Sequence, residues 1–305
     1  MKIGLLEFGA GPPEVKWMLE NVVDYACKAD ELGFSRIWLG EHYFLNHFWY
    51  NPEILIPVLA GMTDRIKIGV AGILLGIHSP YRVALTFKML ATLFPGRIDL
   101  GIANGTPSQK VVKLMLQKSD EECLNFRDDF GQKFSDLVRY LREEEKLWEE
   151  QVLIPPHGGG IPDIWSLGLS YNSLGKTLPL GVNFSRSIFH LGSDRNYNRE
   201  KLHEFQEEFF ALHGRMPEVN VTFAGICAKT SQYAQKLLNK MGKEEESNLS
   251  TLIVGCPNKF HDTLMAMQED YGVDEFIMLN LIYNAKDKIN SIELISEKCF
   301  EGVYA

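Results

Sequence analysis

Glu41 and His42 are the sharpest pair of chemical groups in the sequence. An imidazole exchanges a proton near neutral pH, and a carboxylate beside it can orient the ring or raise its pKa. The pair reads either as proton-transfer machinery or as a histidine that holds a loop, and its place in the fold has to decide. His47 lies close behind. As metal ligands Glu41, His42 and His47 make a poor set, because a barrel metal site draws ligands from several strands and no second His/Asp cluster accompanies them. His78, before Ser79-Pro80, reads as a loop or pocket-wall residue. Gly168-Leu169-Ser170 leads into helical sequence, where backbone N–H groups can hold a phosphate; a plain tight turn explains the same residues. Other motifs fail on inspection. Gly175-Lys176-Thr177 looks like the end of a P-loop, but the upstream glycine it needs is Ser170. His157-Gly158-Gly159-Gly160 resembles an esterase oxyanion loop and lacks the nucleophile elbow that would go with it. Phe44, Phe48, Trp49 and Tyr50 form an aromatic cluster suited to packing a loop with partial exposure to a pocket.

The elements that must position these groups are short apolar or β-branched runs at 3–9, 35–40, 66–75, 97–103, 163–169, 178–184, 219–227 and 275–282. Amphipathic stretches lie between most of them. Val15, Leu19, Val22, Val23, Ala26 and Leu32 recur at helical spacing, with Gly33 as the stop. A second helix is expected over 80–93 behind Pro80, and a third over 126–148 with Phe126, Phe130, Phe134, Leu137, Val138 and Leu141 on one face. Alternating strand and helix predicts a parallel sheet. Eight such units predict an α/β fold, a (β/α)₈ TIM barrel formed by residues 1–305 as one domain, with an insertion at 105–125 after strand four. An open doubly wound sheet is the alternative, because only 170–177 is left for the helix between strands five and six.

In such a barrel the site is built just beyond the C-terminal ends of the strands. That rule selects Glu7 and Phe8; Glu41, His42 and Tyr43; Gly76, Ile77 and His78; Asn104, Gly105 and Thr106; Gly168, Leu169 and Ser170; Asn183 and Phe184; Cys227; and Asn280. Few of these are polar, which suits a flat aromatic cofactor and an apolar substrate better than a sugar. Pro155 to Gly160 reads as a flexible turn before strand five, and Lys243 to Ser250 as an exposed connection or mobile lid. The formal charge of −9 argues against a nucleic acid or an anionic membrane as partner. Five scattered cysteines without CxxC spacing fit reduced thiols. No leader-like segment and no apolar run of roughly 20 residues stands out, so a cytoplasmic location is expected.

The order of several segments adds a resemblance. Gly33-Phe34, Ile37-Trp38-Leu39-Gly40-Glu41-His42-Tyr43-Phe44 resembles the W-x-x-E-H-H signature of bacterial-luciferase-like flavin monooxygenases. Ile68 to Leu75 followed by His78-Ser79-Pro80-Tyr81-Arg82 is similar to their third strand and next helix start. Pro95-Gly96-Arg97-Ile98-Asp99-Leu100-Gly101-Ile102-Ala103-Asn104-Gly105 is similar to S-x-G-R-x-x-L-G-x-G-R-G, Ile164 to Ser170 to W-L-L-G-S-S, and Val254-Gly255-Cys256-Pro257 to V-G-T-P. Each match is weak alone; together, in order and over nearly the whole chain, they are specific.

The resemblance implies a monooxygenase that takes reduced FMN from a separate flavin reductase, activates O2 as a flavin C4a-peroxide and oxidises a small or medium hydrophobic molecule. By position, His42 would be the pocket histidine, with Glu41 beside it. Ala71-Gly72 would lie against the isoalloxazine, where the family often carries a non-proline cis peptide. Gly168, Leu169 and Asn172 would offer groups to the FMN phosphate. A homodimer is implied, with the helices after strands two and three as candidate faces. The departures are specific too. The family's phosphate-binding arginine falls on Asn104, its reactive cysteine on Ala103, the first serine of G-S-S on Leu169, and its second histidine on Tyr43. Losing an arginine–phosphate pair calls for a substitute charge, for which Arg186 and Lys176 are the candidates. These changes keep two alternatives open: a deazaflavin-dependent hydride-transfer oxidoreductase, and a flavin-binding relative without catalysis.

Overall fold

In the computed structural model, which describes residues 1–9, 15–43, 47, 49–117, 119, 123–193, 196, 198–240 and 249–300, the alternation of strand and helix closes on itself. The strands are β1 (Lys2–Glu7), β2 (Arg36–Leu39), β3 (Lys67–Leu74), β4 (Ile98–Ala103), β5 (Asp163–Gly168), β6 (Asn183–Ser187), β7 (Val219–Cys227), β8 (Leu252–Gly255) and β9 (Glu275–Asn280). β1 to β7 pair in chain order, and β9 joins β7 to β1, so eight parallel strands form the expected (β/α)₈ barrel. β8 was not anticipated. It pairs only with Ala224–Cys227 at the C-terminal end of β7, beyond the point where β6 leaves that strand at Thr222.

Two other expectations about elements need correction. The sixth strand is not 178–184: Leu178–Leu180 is a 3₁₀ turn closed by Gly181 at φ +59°, and the strand starts at Asn183. Pro179 has no N–H to give a ladder, which ends any strand through it. Asn183 and Phe184 therefore lie at the N-terminal end of β6, and its mouth residues are Ser187 and those after it. The expected helix 126–148 is two helices, Phe130–Arg142 and Glu144–Glu149, broken by the non-helical backbone of Glu143. Its apolar face is as read, with Phe134, Leu137, Val138 and Leu141 buried. The Pro155–Gly160 turn carries a cis Pro155–Pro156 bond and packs tightly on the helix Pro80–Leu93: a Cβ on Gly160 would come within 2.4 Å of the Ala91 carbonyl. Of the stretch Lys243 to Ser250, all but Leu249 and Ser250 lies outside the described residues.

Strand alternation divides the core in two. Outward side chains such as Ile37, Leu39, Ile68, Val70, Leu100 and Ile102 pack under the helices. Inward ones, Leu6, Trp38, Trp165, Ala224, Ile277 and Leu279, fill the lumen. Beneath them Arg36 donates to Asp99 (2.8 Å), Glu275 (2.9 Å) and Glu218 (2.9 Å), and the indole N–H groups of Trp38 and Trp165 donate to Asp99 at 2.8 and 3.2 Å. Buried charge is tolerated because each group is paired and hydrogen-bonded. This cluster plugs the N-terminal end of the barrel and leaves the other end for the site.

Candidate active site

Leaving β2 in extended backbone, successive side chains point to opposite sides of the wall. Glu41 turns into the protein and His42 toward the lumen. The buried Glu41 carboxylate accepts from Tyr43 Oη (2.5 Å) and the Leu74 N–H (2.8 Å), and meets His78 Nε2 at 2.7 Å. This corrects the expected Glu41–His42 couple: the partner of Glu41 is His78. The carboxylate ties the end of β2 to the end of β3. Burial, followed by the Glu41 charge and hydrogen bond, raises the Tyr43 phenol above its ordinary value.

His42 packs against Phe8, the inward residue after β1, with ring centroids 4.1 Å apart, and stacks on His47 at 5.3 Å. Gly40 makes this possible, since a Cβ there would sit 2.5 Å from the Phe8 ring. Phe8 also approaches Phe189 from the far side of the barrel, at 6.2 Å. His190 stacks on Phe189 at 4.1 Å, and its Nδ1 lies 2.6 Å from Ser187 Oγ. Burial pushes the His42 ring down to about 3, helped by His47 and His190, and pushes His190 down to about 4. Both rings are neutral near pH 7, the reverse of what an adjacent carboxylate would do. His190 was missed from sequence because the sixth strand was placed too early; Pro179 and Gly181 were the available signal.

One wall of the lumen is nearly bare. Beyond Asp99, the inward positions of β3 and β4 are Gly69, Ala71, Gly101 and Ala103. The Ala71–Gly72 peptide bond is cis. At Gly72 a Cβ would lie 2.6 Å from Leu167 Cδ1 and 2.7 Å from the Gly101 carbonyl oxygen, so no larger residue fits. Ala71 and Leu167 line the same apolar cluster as Phe8 and Phe189.

At the mouth of β5, Ser170 Oγ accepts the Asn172 N–H (3.3 Å), and Asn172 Oδ1 accepts from Lys201 Nζ (2.7 Å). A Cβ on Gly168 would lie 2.7 Å from Ser173 Oγ, and Leu169 is exposed. The expected helix start is a 3₁₀ turn, Tyr171–Ser173, running into a four-residue helix, Leu174–Thr177. So short a helix brings few aligned peptide dipoles to a phosphate. At the mouth of β4, Asn104 Oδ1 accepts from Arg127 Nε (3.0 Å), and Arg127 Nη1 donates to Thr106 Oγ1 (3.1 Å). Arg186, expected as a substitute cation, is fully buried with its guanidinium 4.4 Å from the Tyr171 ring centre and cannot serve the mouth. Lys176 is exposed on the short helix. Asn280 is also structural: buried, it donates to Tyr25 Oη on the helix Val15–Glu31. Trp49 packs over Gly9 and Tyr50 tilts on Tyr43, which is the loop packing expected of them; Phe44 and Phe48 lie outside the described residues. No helix among the described residues is long and apolar enough to cross a membrane.

This arrangement has known relatives. The chain is 25% identical to the N-acetyl-S-alkylcysteine monooxygenase of Bacillus subtilis, over 92% of each chain. It is 25% identical to the uncharacterised protein YwcH of the same organism, again over 92% of each. Among solved structures, apo-MsnO8 superposes with a TM-score of 0.82 at 25% identity over 98% of both chains. The FMN complex of the oxygenating constituent of 3,6-diketocamphane monooxygenase from Pseudomonas putida superposes at 0.74 and 19% identity, over 99% of this chain and 98% of that one. An F420-dependent secondary alcohol dehydrogenase shares the fold at 0.61 and 13% identity, over 97% of both. Residues 5–251 match the family described as luciferase-like monooxygenase. The chain thus belongs to the luciferase-like monooxygenases, flavin-dependent oxidoreductases built on a (β/α)₈ barrel.

Proposed function

We propose that this enzyme uses reduced FMN, delivered by a separate flavin reductase, and O2 to oxidise a small or medium apolar organic substrate. The observation that carries the reading is the bare wall at Ala71, Gly72 and Gly101, in a barrel whose β2 exit carries a neutral, buried His42. Reduced FMN, when bound, supplies the electrons that activate O2. Ala71 and Gly72 admit the ring system, and Phe8, Leu167 and Phe189 exclude water from it. Gly168, Leu169 and Asn172 face the phosphate end, with Asn104 on the neighbouring strand. His42, as a neutral imidazole, accepts a proton or a hydrogen bond at the reacting end of the pocket. Glu41 is a positioning residue that acts through Tyr43, His78 and the Leu74 N–H. The relatives' names suggest which substrates to try first: alkyl thioethers such as S-alkylcysteine derivatives, and cyclic ketones. We place a homodimer contact on the helices after β2 and β3, where Ile54, Val58 and Met62, and Met89 and Leu93, leave apolar stripes exposed.

The test is an anaerobic titration with reduced FMN, followed by mixing with isotope-labelled oxygen and the two substrate classes. Expected are saturable binding and one labelled oxygen atom in the product. His42→Ala should keep FMN affinity and lose product formation; unchanged coupled turnover in that variant would remove the role assigned to the ring. A protein that ignores reduced FMN but turns over a reduced deazaflavin without O2 would replace the proposal with hydride transfer.

A further inference from the structure

Across the mouth from His42 the lumen changes character. β6 lies four strands from β2 in either direction round the barrel, so the two strand exits stand opposite each other. Along β6, Phe184 packs into the outer core and Arg186 turns outward onto the Tyr171 and Tyr271 rings. By alternation Ser185 and Ser187 point inward. Ser185 Oγ is engaged by Thr222 Oγ1 of β7, at 3.1 Å. Ser187, half-buried and one step nearer the mouth, meets the half-buried His190 instead, Oγ to Nδ1 at 2.6 Å.

This pair is held in place before any ligand arrives. The His190 ring stacks on Phe189, and the His190 backbone forms an antiparallel bridge with Leu249. The Ser250 N–H donates to the Phe189 carbonyl (2.8 Å), Ser250 Oγ donates to the Ile188 carbonyl (2.7 Å), and the Ser193 N–H donates to the His190 carbonyl (3.1 Å). β8 takes no part in closing the barrel, but the residues that enter it clamp the exit of β6. Groups fixed beforehand lose less freedom on binding.

The chemistry of the pair follows from its neutrality. A neutral imidazole carries one ring proton. With that proton on Nε2, the Ser187 hydroxyl donates to Nδ1 and the pair offers Nε2–H. With it on Nδ1, the ring donates to Ser187 Oγ and the pair offers the hydroxyl proton. Among the described residues Nε2 makes no hydrogen bond. Either tautomer therefore presents one donor and one acceptor, without net charge. Phe189, Leu249, Leu252 and Leu281 belong to the apolar cluster around them. A carboxylate brought here would lose solvation without meeting a charge from the pair. An uncharged oxygen atom on a hydrocarbon body would satisfy it, and a plain hydrocarbon would leave it unpaired.

We infer that Ser187 and His190 are the specificity-determining pair of this pocket, seating the uncharged oxygen function, carbonyl or hydroxyl, of an otherwise hydrocarbon substrate. The assignment rests on the reading of the lumen as the reaction site, and it sets uncharged ketones ahead of carboxylate-bearing thioethers among the substrates named above.

The test uses the full-length protein, with and without FMN, and four probes of similar shape: acetylcyclohexane, 1-cyclohexylethanol, isopropylcyclohexane and cyclohexanecarboxylate. The wild type should bind the ketone or the alcohol more tightly than the hydrocarbon and the carboxylate. The bound oxygenated probe should also move the His190 ring resonances in histidine-labelled nitrogen NMR, assigned by their loss in His190→Phe. In Ser187→Ala and in His190→Phe the preference for oxygen over hydrocarbon should fall about 2- to 10-fold, the scale of one neutral hydrogen bond. Isopropylcyclohexane affinity should hold in both variants, which reports an intact pocket. Ketone above alcohol names the carbonyl, and the reverse order names the hydroxyl. Equal binding of hydrocarbon and oxygenated probes by the wild type overturns the assignment. So do tightest binding of the carboxylate, an oxygen preference that survives both substitutions, and binding of none of the four. Each of these leaves the flavin reading to the anaerobic titration, which does not depend on the pair.

Discussion

At the residue scale, the two mouth histidines carry the clearest consequence. His42 and His190 are neutral because burial strips the imidazolium of its solvation. Above the ordinary imidazole value of about 6.5 neither the folded nor the unfolded chain protonates them, and they do not affect stability. Below it the unfolded chain binds protons that the folded chain refuses until about 3 for His42 and about 4 for His190. The unfolded state then holds more protons, so stability falls as the pH falls through that window. The thermal midpoint is expected to drop between about pH 7 and about pH 5, and to drop less steeply in a His42→Gln, His190→Gln double variant. An identical slope in the two proteins would mean that the rings titrate normally. Glu41 shows the complementary lesson. Its neighbour in sequence is His42, but the imidazole its carboxylate meets in space is that of His78.

At the scale of elements, the strands set both the floor and the wall of the site by the same period of two. Arg36, Trp38 and Gly40 follow one another on the inward side of β2 and its exit, as Asp99, Gly101 and Ala103 do on β4. The large residues at the start of that sequence close the barrel bottom, and the small ones further along open the top. Asp99 is the centre of the floor, serving Arg36 and both indoles. Asp99→Asn removes the charge and leaves Arg36 with a poorer acceptor in a buried place. A loss of about 3–5 kcal/mol is expected, measured by chemical denaturation with circular dichroism. A change below about 1 kcal/mol, the size of an exposed pair, would show that Glu275 and Glu218 suffice for Arg36. The chain that follows the insertion after β4 acts at this scale too, returning Arg127 to Asn104 at the end of that strand.

At the scale of the whole molecule, some of the exposed apolar side chains line up on single helices. Ile54, Val58 and Met62 form a stripe around the helix Ile56–Gly61, and Met89 and Leu93 form another on the helix that follows β3. Exposed patches of this kind mark association surfaces. Sedimentation is expected to give a dimer for the wild type and a monomer for Val58→Glu, since a charge at the centre of an apolar contact must be desolvated without a partner. A dimer that survives that substitution would place the contact elsewhere. Each rim group of the site comes from the end of a different strand or connection, and the barrel gathers them at one end because all eight strands run the same way.

What the sequence alone determined was most of what depends on local period and on ordered segments: seven of the eight barrel strands near their places, the closure into a barrel, and the family. These follow from patterns that are complete within a few residues, or that recur along the chain in order. The sixth strand slipped because one proline and one glycine outweighed an apolar run, and β8 went unseen because four residues carry too little periodicity. What only the tertiary structure decided were the partnerships. Glu41 with His78, Arg127 over Asn104, Lys201 on Asn172 and Phe189 across from Phe8 each join segments apart in the chain. Their energies depend on distance and burial, and neither quantity exists until the barrel has closed.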